Sequence, residues 1–363
     1  MPIILLDDPD STLAMLRDSV ATLGARADGA ATFRRRRAAA VDLDPETWAS
    51  MASDGWAGLV LPEAAGGMGL GAAELVALAE ALGRALLTEP FSTLAVFPSV
   101  LLGALDADID ALAEALIGGA VLPVLWQGLR GEVRPLALAD GRLTGEAHLV
   151  PGAQSAQVFL VLAEEAGEPV LVSVEAASAG LRVHSRPGID GATLGSVVLH
   201  DAVAGPVLAR GAAVTDAFDQ AIRMTRLALA AELAGIASRA LEITVDYTSN
   251  RVQFAKTIAS FQAVQHRLVD MWAEAEFACS SVANAATLAD QPAAFAQAVL
   301  AAKARAGDAA TAITRKAVHL HGAMGFTDQC DIGLYLKRAI ALNATLGQPE
   351  ELRLAFLDAE RAA

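Results

Sequence analysis

Three short stretches carry the residue types from which a site could be built. They are Leu61-Pro62-Glu63-Ala64-Ala65-Gly66-Gly67-Met68-Gly69-Leu70; Arg251-Val252-Gln253-Phe254 with Phe261-Gln262-Ala263-Val264-Gln265-His266; and His319-Leu320-His321-Gly322-Ala323-Met324-Gly325-Phe326-Thr327. On residue type alone, Arg251 offers a guanidinium for an ion pair, Phe254 and Phe261 read as core aromatics, and Gly322 and Gly325 read as a helix stop. His319, His321 and Cys330 do not make a metal centre, because helical residues at i and i+2 face apart and no fourth ligand presents itself. Gly66-Gly67-Met68-Gly69 lacks the Lys-Ser/Thr of a phosphate loop and the helix that follows a dinucleotide fingerprint, so it reads as a turn.

The elements that would position these stretches follow from periodicity. In Glu74 to Leu86, apolar Leu75, Leu78, Ala79, Leu82 and Leu86 recur at helical spacing, which predicts a helix with one face in the core. Upstream, Asp44-Pro45-Glu46 supplies an N-cap, a proline for the first helical position and a first-turn acid, and Gly55 stands where that helix should stop. Gln157 to Leu162, Pro169 to Val174 and Ser196 to Leu199 are short apolar or β-branched runs separated by Gly, Pro and Asp, as strands are. Beyond Asp216 the helical period returns, with Phe261, Val264, Leu268, Met271, Trp272 and Ala275 on one predicted core face. The expected fold is α+β, mainly α: a helical domain over 1–118, a central β domain over 119–209, and a helical bundle over 210–363.

Composition narrows the function. Of 363 residues, 54% are apolar and 19% charged, which excludes a disordered chain; the net charge of −15 disfavours nucleic acid as a partner. The one dense basic run, Arg34 to Arg37, reads as solvated helix surface. Two distant cysteines, Cys279 and Cys330, indicate neither a disulfide framework nor a structural zinc. Met1 to Asp10 lacks the basic region of a signal peptide, and no apolar stretch is long enough for a membrane span, so a cytoplasmic protein without a membrane partner is expected.

In order and together, the three stretches resemble the acyl-CoA dehydrogenase family across nearly the whole chain, which implies that the central domain is β-barrel-like and the C-terminal one a four-helix bundle. The resemblance implies flavin-dependent α,β-desaturation of an acyl-CoA: a glutamate takes the α-proton and the β-hydrogen leaves as hydride to FAD. It implies that Arg251 reaches the pyrophosphate of a neighbouring subunit's FAD, with Gln253, Phe254, Phe261 and Gln262 as companions. His319, Gly322, Ala323 and Gly325 fall where the family's backbone approaches the adenine side of the cofactor, and Arg226 falls at a substrate-binding position.

The departures are equally specific. The family cradles its isoalloxazine with polar groups where this chain reads Val121-Leu122-Pro123-Val124-Leu125-Trp126-Gln127-Gly128-Leu129, and with an aromatic and a hydroxyl where it reads Leu149-Val150-Pro151. The two positions that hold the glutamate in different members are Gly347 and Thr225, so no catalytic residue is assigned; Glu350 would serve only if the chain shifted by about one helical turn. The pattern resembles the glutamate-lacking subunit of heterotetrameric, steroid-type bacterial members. It implies a chain that lends FAD contacts in trans to a glutamate-containing partner. The alternatives are a homomeric dehydrogenase with a non-standard base and a non-enzymatic acyl-CoA-binding scaffold.

Overall fold

The computed structural model describes residues 1–128 and 131–362, so Leu129 of the first departing segment lies outside the described residues. Six helices come first: α1 (Thr12–Ala27), α2 (Gly29–Ala39), α3 (Pro45–Ser53), α4 (Ala72–Ala85), α5 (Phe97–Gly103) and α6 (Asp110–Ile117). Strands β1 (Val124–Leu125), β2 (Leu136–Ala139), β3 (Arg142–Pro151), β4 (Val158–Glu165), β5 (Glu168–Glu175), β6 (Leu181–Pro187), β7 (Thr193–Val203) and β8 (Val207–Arg210) follow. The rest is helical but for a short hairpin: α7 (Ala212–Asn250), β9 (Val252–Gln253), β10 (Lys256–Thr257), α8 (Gln262–Thr287), α9 (Pro292–Leu320), α10 (Ile332–Ala344) and α11 (Pro349–Ala362). By internal packing the chain forms two compact units, one from Met1–Phe33, Ala72–Thr88 and Arg226–Ala363, the other from Arg34–Gly71 and Glu89–Thr225. Among the described residues, no helix is long and apolar enough to cross a membrane.

In the first unit, α4 is buried on more than the one face its period predicts: Leu75 through Gly83 are all buried, Glu80 included. Burying that carboxylate raises its pKa, and the costs are offset by Arg17, whose Nη2 donates to it at 3.4 Å, and by the Ile4 amide at 3.3 Å. Two glycines set how closely α4 meets α7. A Cβ on Gly83 would stand 2.1 Å from the Glu232 carbonyl oxygen, and one on Gly235 2.1 Å from that of Glu80. Arg338 on α10 donates to Glu232 on α7 at 2.7–2.8 Å, a buried pair that fixes the bundle's register.

In the second unit the eight strands form one sheet in the order β6-β7-β3-β2-β4-β5-β8, with β1 parallel to β4. Its core is mainly aliphatic, from Leu125 and Leu143 to Val172, Val197 and Leu199, with Phe159 among them. The α3 signals behave as expected: Asp44 Oδ1 accepts the Thr47 amide at 3.0 Å, and Gly55 takes φ 81° just beyond the helix end. The basic run does not. Arg36 is 1% exposed, donating to Glu89 at 3.3 Å and to the Asp42 carbonyl at 3.1 Å. The Asp42 carboxylate in turn accepts the Gln154 and Ser155 amides and the Ser155 hydroxyl, tying the α2–α3 connection to the turn after β3. A lone buried guanidinium would be prohibitive, so this position needs its acid.

Candidate functional site

Most of the residues singled out in the sequence meet at one end of the bundle in the first unit. There α7 stops, and the Arg251 amide donates back to the Tyr247 carbonyl at 2.8 Å while the Arg251 carbonyl accepts from Ile258 at 2.9 Å. Between those bonds β9 and β10 pair as a hairpin with Gln253 opposite Lys256. Its two-residue turn holds Phe254 at φ 53° and Ala255 at φ 62°, the left-handed pair of a type I′ turn. Neither residue is glycine, so the turn stores about 1–2 kcal/mol per residue of backbone strain, a feature that clusters at functional segments.

That strained turn projects Phe254 outward, 88% exposed, which corrects its reading as a core aromatic. Phe261, half-buried, meets it edge to face at 6.2 Å, and the Lys256 ammonium lies 4.2 Å from the Phe261 ring centroid. Gln253 and Gln262, the latter opening α8, are exposed beside them. The end of α9 is held to the same place by a contact the sequence reading did not assign. The His321 ring stacks on Tyr247 with centroids 4.2 Å apart and planes 19° from parallel, and the Tyr247 hydroxyl donates to the His321 carbonyl at 3.3 Å. His321 Nδ1 lies 2.8 Å from the Ala317 carbonyl, and burial lowers the ring's pKa, so the imidazole is the neutral form donating from Nδ1. The signal that would have found this pair is Tyr247 itself, one helical turn before Arg251.

Through that stack, His319, Gly322 and Ala323, all exposed, join Arg251 and the two phenylalanines at one end. Gly322 has φ 63° and open space around a would-be Cβ, whereas a Cβ on Gly325 would strike the Val318 carbonyl at 2.4 Å. Gly325 is therefore required by the chain's own turn. Beyond the cluster, exposed apolar side chains continue over the bundle surface: Phe326 (81%), Val269, Trp272, Phe277 and Met324. Trp272, expected in the core, is among them. Among the described residues no group of histidine, cysteine and acids could hold a metal.

Arg226 stands elsewhere: it precedes Tyr247 by 21 residues on α7, about 32 Å along the helix. Its Nε donates to the Leu346 carbonyl at 2.9 Å, beside Gly347, whose φ is 107°. Thr225 is fully buried and its hydroxyl has no partner. Glu350 is exposed in the first turn of α11, while Glu351 accepts the Gln348 amide at 2.9 Å and so caps that helix. The second unit shows how the departing β segments are used. Trp126 packs as a core ring against Phe97 and Phe218, and the Gln127 amide is spent on the His148 and Leu149 carbonyls at 2.9 and 3.0 Å. Pro151 has no N–H to give.

Comparison with known proteins gives a consistent result. Residues 10–105 match the N-terminal domain model of acyl-CoA dehydrogenase, and residues 215–357 match its C-terminal domain model. The acyl-CoA dehydrogenase IpdE2 of Mycolicibacterium smegmatis is 31% identical over 354 residues, 95% of this chain and 97% of that protein. Among solved structures, the ChsE4-ChsE5 complex from Mycobacterium tuberculosis aligns with a TM-score of 0.88 at 25% identity, covering 98% of this chain and 99% of that one. A chain of the Tcur3481-Tcur3483 steroid ACAD aligns with a TM-score of 0.83 at 28% identity, covering 96% and 98%.

Proposed function

Because this chain belongs to the acyl-CoA dehydrogenase family, we propose that it is one subunit type of a heteromeric flavoprotein that desaturates an acyl-CoA thioester. In this reading it lends Arg251, Gln253, Phe254, Phe261 and Gln262, with His319, Gly322 and Ala323, to FAD in a glutamate-containing partner. The observation that carries the reading is the hairpin end of the bundle. A strained turn holds an aromatic 88% exposed beside a cation, at the edge of an apolar surface that this chain does not cover. Such an arrangement suits a second subunit and an anionic, planar-ringed cofactor.

The fit to FAD differs between the two units. At the hairpin, Arg251 offers a fork of donors to a pyrophosphate, and Gln253 and Gln262 offer exposed amides. In the second unit the corresponding polar groups are absent or already bonded, as with Gln127, so a flavin cradle of this chain's own is not supported. Bound FAD would supply hydride acceptance. The carboxylate that removes the α-proton would come from the partner, since Gly347 and Thr225 offer none. The heteromeric relatives named above support the partnership, and a steroid-type acyl group is the substrate class they suggest. The division into 1–118, 119–209 and 210–363 is part of the same proposal.

The test is the visible spectrum and solution mass of the chain purified alone and co-expressed with a glutamate-containing homologue. A colourless chain that gains flavin and acyl-CoA dehydrogenase activity only in the pair is the expected result. A stoichiometric flavin band and turnover from the chain alone would replace this reading with a homomeric enzyme.

A further inference from the structure

Lys303 is a fully buried lysine in the first unit. It leaves the Ala-rich α9 with 0% exposure, and its ammonium donates to the carbonyls of Asn343 at 3.3 Å and Gly347 at 3.5 Å. An ammonium taken out of water persists only where oxygens replace its hydration, and here one turn supplies two of them. From α7 the Arg226 guanidinium reaches the same turn, donating from Nε to the Leu346 carbonyl at 2.9 Å. Two cations thus converge on three carbonyls within residues 343–347. Burial, and then the Arg226 charge, bring the Lys303 pKa down from 10.5 to about 7; no carboxylate acts on it among the described residues.

The turn they hold is unusual in itself. Leu346 and Gly347 take φ 56° and 107° in succession, and a Cβ at 347 would stand 2.8 Å from Leu352 Cδ2 and 3.8 Å from Arg226 Nη2. A side chain placed there would press on the Leu352 methyl of α11, stand in ordinary contact with the guanidinium and have to adopt the strained φ of 107°. Immediately afterwards the Glu351 cap starts α11, so the turn has little slack.

We propose that Lys303 is a positioning residue that, with Arg226, pins the 343–347 turn by its carbonyls and keeps it closed to any side chain at 347 acting as a base. The inference rests on the reading of Gly347 as an expected base position and deepens it. Loss of the base is built into the backbone, and restoring a carboxylate does not by itself restore proton abstraction.

The experiment uses the chain co-purified with its partner subunit and follows amide hydrogen exchange over residues 346–352 between pH 6 and 9. Lys303→Met keeps the stem and removes the charge. The expected result is at least tenfold faster exchange at Gly347 and Gln348 with an unchanged or higher Tm, because removing a buried charge that lacks an acid does not unfold a protein. Burial holds the Lys303 pKa near 7, so opening the turn to water takes up a proton; in the unaltered chain protection of those amides therefore rises with pH above about 7, beyond the intrinsic pH dependence of exchange, and Lys303→Met abolishes that course. Lys303→Gln, which keeps a neutral donor, gives intermediate exchange without the pH course and serves as the second variant. Unchanged turn exchange in a folded Lys303 variant overturns the proposal; so does a turn that loosens only in step with Tm. In a second arm, Gly347→Glu is paired with a partner lacking its own base, and deuterium exchange of the acyl-CoA α-proton is read. Background exchange is expected, and a tenfold gain from this single change overturns the closure. The amide arm does not depend on the assignment of residue 347. Flavin retained in an Arg251→Ala complex would overturn the subunit reading and leave the turn proposal standing.

Discussion

The helix α7 passes two cation-bearing regions of the first unit, and they are built in opposite ways. At its C-terminal end Arg251 and Lys256 stand exposed among aromatics, beside a strained hairpin turn. At its Arg226 end Lys303 is fully buried, and both cations are committed to the carbonyls of one turn. A cation left in solvent beside uncovered apolar surface is available to a ligand or subunit; a cation bonded to the chain's own backbone is spent on shape. The two regions differ within one chain: one end leaves its cations and aromatics in solvent and the other is closed on itself.

Substitutions at each end test that contrast. The largest stability effect is expected at the closed end. Lys303 has a pKa of about 7 when folded against an ordinary 10.5, so below pH 7 the full cost of burying the charge is present. Between pH 7 and 10.5 the unfolded chain binds the extra proton, and stability rises with pH. Lys303→Met should therefore stabilise the protein by about 1–4 kcal/mol at pH 6, with the gain shrinking toward pH 10, as measured by denaturant unfolding across that range. A gain that grows with pH would contradict the burial account.

Tyr247→Ala comes next: it removes the stack on His321 and the bond to the His321 carbonyl, a loss of roughly 1–3 kcal/mol. It should also lower the flavin content of the complex, because Arg251 follows directly from the Tyr247 turn. Gly347→Ala should cost about 1 kcal/mol, since φ 107° disfavours a side chain, and should leave flavin content unchanged. Phe254→Ala is the smallest in stability, within about 0.5 kcal/mol for so exposed a residue, yet it should weaken assembly with the partner as read by sedimentation. A Phe254 variant that unfolds the chain while assembling normally would reverse the comparison.

How far the sequence foretold this depends on what each signal reports. The α3 cap, the α4 helix and the strands β4, β5 and β7 were legible because caps and periods are local. The burial of Arg36 was hidden by its run: four arginines read as one surface, although helical spacing puts Arg36 on the Phe33 face, toward Glu89. Apolar period also failed to separate core from exposed surface. Trp272 keeps the helical spacing of Met271 and Ala275 and yet lies outside, because periodicity marks an apolar face without showing whether the chain itself covers it. The hairpin residues were legible through the family resemblance alone, and their exposure came from the I′ turn at Phe254-Ala255, which no glycine announces. Lys303 had no signal: a single lysine in an alanine-rich helix looks like solvent-facing charge, and only its burial beneath Asn343 and Gly347 distinguishes it.

The most direct measurement of the central claim is the flavin-to-protein ratio of the co-purified heteromeric complex with Arg251→Ala beside the unaltered chain. The complex is expected still to assemble and to lose the FAD contacted by this chain, at least tenfold below the unaltered ratio. Full flavin in an assembled Arg251→Ala complex would show that this end of the bundle does not serve a partner's cofactor.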